Sequence, residues 1–142
     1  MTRNHNLGDL MFWQALEQLR CWERDNLPGA DTAVGNEVLV WLLKSKHQPR
    51  PLKDLYQSSR FSEPTIRNCL KQFSSLGFAV IESNNKDMRA RYARATGKLE
   101  TTVDDYRKRF QEVAELARRE GIITPNSDRV PKATRHQLFN TG

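Results

Sequence analysis

Cysteine is almost missing from this chain of 142 residues: only Cys21 and Cys69 occur, far apart in sequence. Two such residues build neither a disulfide framework nor a Cys/His zinc site. Long apolar runs are missing as well. The longest, Val38 to Leu43, has six residues, against the roughly 20 that a membrane-crossing helix needs. The first residues, Met1-Thr2-Arg3-Asn4-His5-Asn6, lack a basic segment leading into an apolar stretch, so no secretory signal is read and the cytoplasm is the expected compartment. The seven glycines are scattered without a G-x-G or phosphate-loop spacing. The three histidines, His5, His47 and His136, fall near a terminus, in a loop and in the tail. No nucleophile with its base and orienting acid, no paired carboxylates and no metal set stand out. The expectation is a protein without enzymatic activity, cofactor or metal.

What is present argues for a folded chain with a polyanionic partner. Three Trp, six Phe and three Tyr are more large apolar side chains than disordered chains carry, although mean hydropathy is -0.74. The net charge of +6 is uneven. Residues 1–43 carry a net −3. Residues 44–98 hold twelve Lys and Arg against four Asp and Glu, a net +8, and residues 99–142 come to +1. A positive field concentrated in the middle of a chain attracts nucleic acid first and an anionic membrane surface second. A solvated basic face without a partner is the plain alternative.

Apolar periodicity places the elements. From Leu7 to Arg24 apolar side chains exceed one helical stripe, with Leu10 and Trp13 among them, so this helix has to bury two faces, one of them on a partner subunit or further helices. The breakers Asn26 to Asp31 end it. Val34, Val38, Trp41 and Leu42 mark a second helix, closed by a loop at Pro49-Arg50-Pro51. Two short helices follow, Leu52 to Ser58 and Ser62 to Leu76. Ser62 suits the N-cap, Pro64 the first turn and Gly77 the position just past the end. Ile66, Cys69, Leu70 and Phe73 form the apolar back of the second of these, leaving Thr65, Arg67, Asn68, Lys71 and Gln72 in front. Phe78 to Ile81 and Arg89 to Arg94 read as strands around a turn at Ser83 to Asp87. From Lys98 to Glu120, Leu99, Val103, Tyr106, Phe110, Val113 and Ala117 recur at alternating steps of four and three, a heptad seam fit for dimerisation together with Leu10 and Trp13. The whole reads as one mainly α domain with a small β-hairpin wing: a dimerisation helix over 7–25, a winged helix-turn-helix over 34–97, a second dimerisation helix over 98–120, and a tail or arm over 121–142.

Two short helices joined by a tight turn, the second polar in front, form the unit whose second helix enters the DNA major groove. Arginine suits guanine O6 and N7, and asparagine suits adenine N6 and N7, so Arg67, Asn68 and Lys71 are candidates for base edges or nearby phosphates. Arg89 and Arg91 alternate on the returning strand and share one face at the wing, where a narrow minor groove attracts guanidinium groups. Asp87 is placed to brace Arg89 or to bond its own backbone. Lys53, Arg60 and Lys86 are candidates for phosphates.

The stretch from Leu52 to Leu99 resembles the winged-helix regulators of the multiple-antibiotic-resistance regulator (MarR) family. The resemblance rests on Ser62-Glu63-Pro64-Thr65-Ile66-Arg67, on Leu70, Phe73 and Leu76-Gly77-Phe78, on Asp87-Met88-Arg89-Ala90-Arg91, and on Ala95-Thr96-Gly97-Lys98-Leu99. It covers a third of the chain. The D-x-R-x-R wing pattern of that family falls on Asp87, Arg89 and Arg91, and its serine cap with a threonine three residues on falls on Ser62 and Thr65. The turn Ser58-Ser59-Arg60-Phe61 departs from it by lacking a small glycine-like residue, and the wing is short. The resemblance implies a homodimer with intertwined terminal helices that binds double-stranded DNA and answers to a small aromatic or anionic effector. Phe12, Trp13, Trp22, Trp41 and Tyr106 are the candidates to line an effector pocket, or they are core. Cys21 is placed like the reactive cysteine of hydroperoxide sensors in that family, but no tyrosine partners match, and a buried small hydrophobe is the expectation. The rival readings are a winged helix that docks a protein in a plasmid, phage or replication assembly, and a nonspecific nucleic-acid binder.

Overall fold

The structure is a computed structural model, and it describes residues 2–83, 86 and 90–122, with side chains from Leu7 onward. Its elements run α1 (Thr2–Asn26), α2 (Ala33–Lys44), β1 (Arg50–Pro51), α3 (Leu52–Ser58), α4 (Glu63–Ser75), β2 (Ala79–Ser83), β3 (Arg91–Ala95) and α5 (Gly97–Arg119). Mainly helical, with a small antiparallel sheet, this is the architecture expected from the periodicities. Helix α1 begins five residues earlier than the apolar pattern does, because nothing between Thr2 and Asn6 breaks a helix although nothing there is apolar. The tail over 121–142 lies outside the described residues beyond Ile122.

Side-chain caps fix the starts of three helices. The hydroxyl oxygens of Thr32, Ser62 and Thr96 accept hydrogen bonds from the backbone N–H groups of Gly35, Thr65 and Leu99. Helix α4 ends in a reversed turn in which Gly77 takes φ +79, and the N–H groups of Gly77 and Phe78 donate to the carbonyls of Ser74 and Phe73. That turn keeps Phe78 out of the strand, which starts one residue later than the sequence suggests, and places its ring 6.2 Å from Phe73 in the core.

The sheet has the order β1-β3-β2. Arg50 and Pro51 pair with Ala93 and Tyr92, where the sequence suggested only a loop. Proline is tolerated there because β1 is an edge strand, whose missing N–H costs no central ladder bond. The β2–β3 register sets Ala79 opposite Ala95 and Ser83 opposite Arg91.

The core lies between α2, α3, α4 and the sheet. Val38, Leu42, Leu55, Ile66, Leu70, Phe73 and Leu99 are its fully buried large side chains. Leu19, Val113 and Ala117 are buried apart from it, on α1 and α5, which pack against each other. The heptad seam is thus spent largely within the chain: Leu99 has no exposed surface, and Val103 and Tyr106 rest half-buried on the core. Phe110 remains 51% exposed, stacked at 6.4 Å on Tyr106, which in turn lies 6.1 Å from Trp22. Among the described residues no helix is long and apolar enough to cross a membrane.

Candidate nucleic-acid interface

Helix α4 carries the sequence-predicted front. Its back, Ile66, Cys69, Leu70 and Phe73, is buried, and this fixes the helix in rotation. Ser62, Pro64, Thr65, Arg67, Asn68 and Lys71 are all exposed. Ser62 Oγ lies 2.8 Å from Thr65 Oγ1 as well as capping its N–H, so both hydroxyls are held at the tip of the helix.

The helix and the sheet enclose an open groove of about 1470 Å³, lined from α3 by Lys53 and Tyr56, from α4 by Glu63, Arg67, Lys71 and Ser75, and from β3 by Arg91 and Tyr92. Four cations from three elements therefore face one concavity. Arg67 is the braced one: its guanidinium donates to Glu63 Oε1 at 2.6 Å. The Tyr56 hydroxyl, followed by the Glu63 carboxylate, holds the Arg67 pKa above the ordinary arginine range. Lys53, Lys71 and Arg91 carry no ion pair among the described residues, so their charge faces solvent.

The structure brings Arg67, Lys71 and Arg91 together with Lys53. Asn68, Thr65, Pro64 and Ser62 lie on the same helix outside the groove lining. Lys86 is exposed. Asp87 and Arg89 lie outside the described residues. Beside the wing, Arg94 donates to Glu82 at 2.9 Å across the two strands. Tyr56, Tyr92 and Ser75 were missed by sequence reasoning, since their place depends on how α3 and β3 meet α4. The Glu63–Arg67 pair was legible in principle from its i,i+4 spacing.

The aromatic residues considered for an effector pocket fall in three separate places. Trp13 is 57% exposed beside Phe12 on α1, Trp22 meets Tyr106 between α1 and α5, and Trp41 is buried in the winged-helix core under the guanidinium of Arg50, 4.6 Å away. Cys21 is half-buried and accepts a hydrogen bond from Arg24 at 3.1 Å, while burial pushes the Cys69 thiol up to about 11.

Helices α2 to α4 with the three-stranded sheet define a winged helix-turn-helix, flanked here by the paired helices α1 and α5. Solved structures with the same arrangement confirm the class. MarR aligns with a TM-score of 0.60 at 16% identity, over 94% of this chain and 95% of that one. MepR of S. aureus, in its complex with DNA, aligns with a TM-score of 0.56 at 14% identity, over 94% and 98%. BpsR of Bordetella bronchiseptica, whose DNA binding is regulated by 6-hydroxynicotinic acid, aligns with a TM-score of 0.52 at 14% identity, over 96% and 97%. No protein-family description and no curated protein matches the sequence. The chain has the fold of the MarR-family winged-helix regulators.

Proposed function

We propose that this protein is a sequence-specific, double-stranded-DNA-binding transcription regulator, a homodimer that represses from an inverted repeat. The observation that carries this reading is the groove itself: four cations converge from α3, α4 and β3, around a helix whose exposed front is capped and rotationally fixed by its buried back. Helix α4 then lies in the major groove and the wing reaches the neighbouring minor groove, so that the sugar-phosphate strand between them runs along the cationic concavity. Arg67, Asn68 and Lys71 face base edges or adjacent phosphates, and Arg89 and Arg91 serve the minor groove with Asp87 bracing Arg89. Lys53 and Lys86 add phosphate contacts.

Dimerisation is supported by apolar surface left uncovered in the single chain. Leu7, Leu10, Met11 and Trp13 on α1 and Phe110 on α5 are between 46% and 61% exposed. Such a set on two neighbouring helices suits a second copy of the same chain. Of the seam residues proposed for that interface, Leu10, Trp13, Phe110 and half-buried Val103 and Tyr106 have surface to offer. A small aromatic or anionic effector acts by changing the spacing of the two winged heads; the regulation of BpsR by 6-hydroxynicotinic acid supports that part of the reading.

The test is to incubate the purified protein with sheared genomic DNA at physiological salt under competitor, and to sequence what stays bound. A few sites sharing an inverted repeat, with half-sites about one helical turn apart, are expected. Uniform recovery refutes sequence specificity, and no recovery refutes DNA binding in favour of a protein-docking winged helix.

A further inference from the structure

Four cations line the groove between α4 and the wing, yet they are not equivalent. Lys53, Lys71 and Arg91 stand without an ion pair among the described residues. Arg67 is held by Glu63, one turn earlier on the same helix, at 2.6 Å. Tyr56, from the other helix of the pair, lines the same groove, and its hydroxyl helps to hold the Arg67 pKa above the ordinary range.

We propose that Glu63 and Tyr56 are positioning residues that make Arg67 the base reader of the groove, aimed at a guanine edge, while Lys53 and Lys71 grip phosphates and Arg91 is left to the minor groove at the wing. The proposal rests on the reading of the chain as a DNA-binding protein and adds a division of labour that the sequence did not show.

A guanidinium has five donors in a planar fork. Glu63 engages one of its terminal nitrogens, which leaves donors over for O6 and N7 of guanine. An exposed arginine also samples many rotamers, and a reader tied on one side has fewer to lose on binding. Finally, the carboxylate of Glu63 lies where a phosphate oxygen would otherwise compete for Arg67. A neutralised cation gains less from a phosphate than unpaired Lys53 and Lys71 do, so phosphates are left to those two and Arg67 to the bases. Tyr56 suits a fixed post because it is half-buried against the core and lines the groove beside Arg67.

The test compares the full-length protein with Arg67→Ala, Glu63→Gln and Tyr56→Phe, each checked for unchanged circular dichroism. Duplexes selected by the wild type from a random pool are bound again with every base pair of the half-site replaced in turn. Arg67→Ala is expected to abolish a G·C preference at one position per half-site. Tyr56→Phe and Glu63→Gln are expected to weaken that same preference about fivefold or more, leaving other positions unchanged. Glu63→Gln should at the same time bind random-sequence duplex more tightly, because it removes a negative charge facing phosphate. A merely structural role would lower all positions together. If Arg67→Ala erases the preference and the other two variants leave it intact, Arg67 reads unaided and the proposal falls. If Arg67→Ala changes no position, Arg67 is not a reader and the proposal falls as well. If the wild type selects no sequence, the regulator reading itself fails and takes the proposal with it.

Discussion

Replacing Gly35 with alanine sets two physical arguments against each other. Gly35 sits buried in the first turn of α2, and there the intrinsic preference for helix favours alanine by about 1 kcal/mol. A Cβ at this position, however, would overlap the carbonyl oxygen of Gly29 and stand 2.7 Å from its carbon and 2.8 Å from Thr32 Oγ1. That carbonyl cannot retreat. It accepts hydrogen bonds from the Thr32 N–H at 3.2 Å and the Thr32 hydroxyl at 2.7 Å, and the Gln72 side chain of α4 packs behind Gly29. Forcing a methyl into a packed site costs about 1–3 kcal/mol, and displacing Thr32 loosens a cap bond that contributes about 1 kcal/mol. After the propensity gain the net loss is about 1–3 kcal/mol, a fall in Tm of roughly 4–12 °C for a chain of this length. Thermal unfolding followed by circular dichroism reads it directly. Gly97→Ala is the control: it sits in the first turn of α5, where a Cβ meets nothing within 4 Å, and its Tm should hold or rise. A Gly35→Ala protein as stable as the wild type would refute the close approach of the turn and the helix. Because Gln72 belongs to α4, which the proposed function places in the major groove, the variant should also weaken DNA binding.

Phe110→Glu should give monomers in sedimentation while keeping the helical signal, because this ring is already 51% exposed in the single chain; a dimer that survives would move the interface elsewhere. Val113→Glu, at a buried position one turn on, should instead unfold the α1–α5 pair. Lys53→Ala and Lys71→Ala should each lower the salt dependence of DNA binding by about one unit of slope without changing sequence preference, and an unaltered slope would remove that residue from the phosphate set. At pH 8 a maleimide should label Cys21 and spare Cys69, whose thiol is pushed up to about 11 by burial; equal labelling would contradict the packing. Since the folded pKa of Cys69 lies above its ordinary value near 9, the stability it contributes is complete below pH 9 and lost as pH rises toward 11. Cys69→Ala should therefore show a shallower alkaline decline.

Much of this molecule was legible in the order of its residues. Caps and periodicity depend on neighbours within a few positions, which is why α3 was placed from Leu52 to Ser58 and α4 was started at its Ser62 cap. The polar front of α4 followed from the 3.6-residue repeat, and the basic middle of the chain from counting. Elements with no local signal were not legible. Strand β1 is two residues long, one of them proline, and exists only because β3 offers it a partner at Ala93 and Tyr92. The heptad seam of α5 specified an apolar stripe but not what would cover it. A stripe buried by α1 of the same chain and one buried by a second chain have the same sequence, and only the packing of α1 on α5 separates buried Val113 from exposed Phe110. The bracing of Arg67 divides the same way. Its pairing with Glu63 is local and follows from one helical turn, whereas the approach of Tyr56 is decided by the angle between α3 and α4, a tertiary quantity set by the core beneath them. Residue types and spacings thus determined which surfaces could carry charge and which had to be buried; the three-dimensional packing decided which of those charges meet.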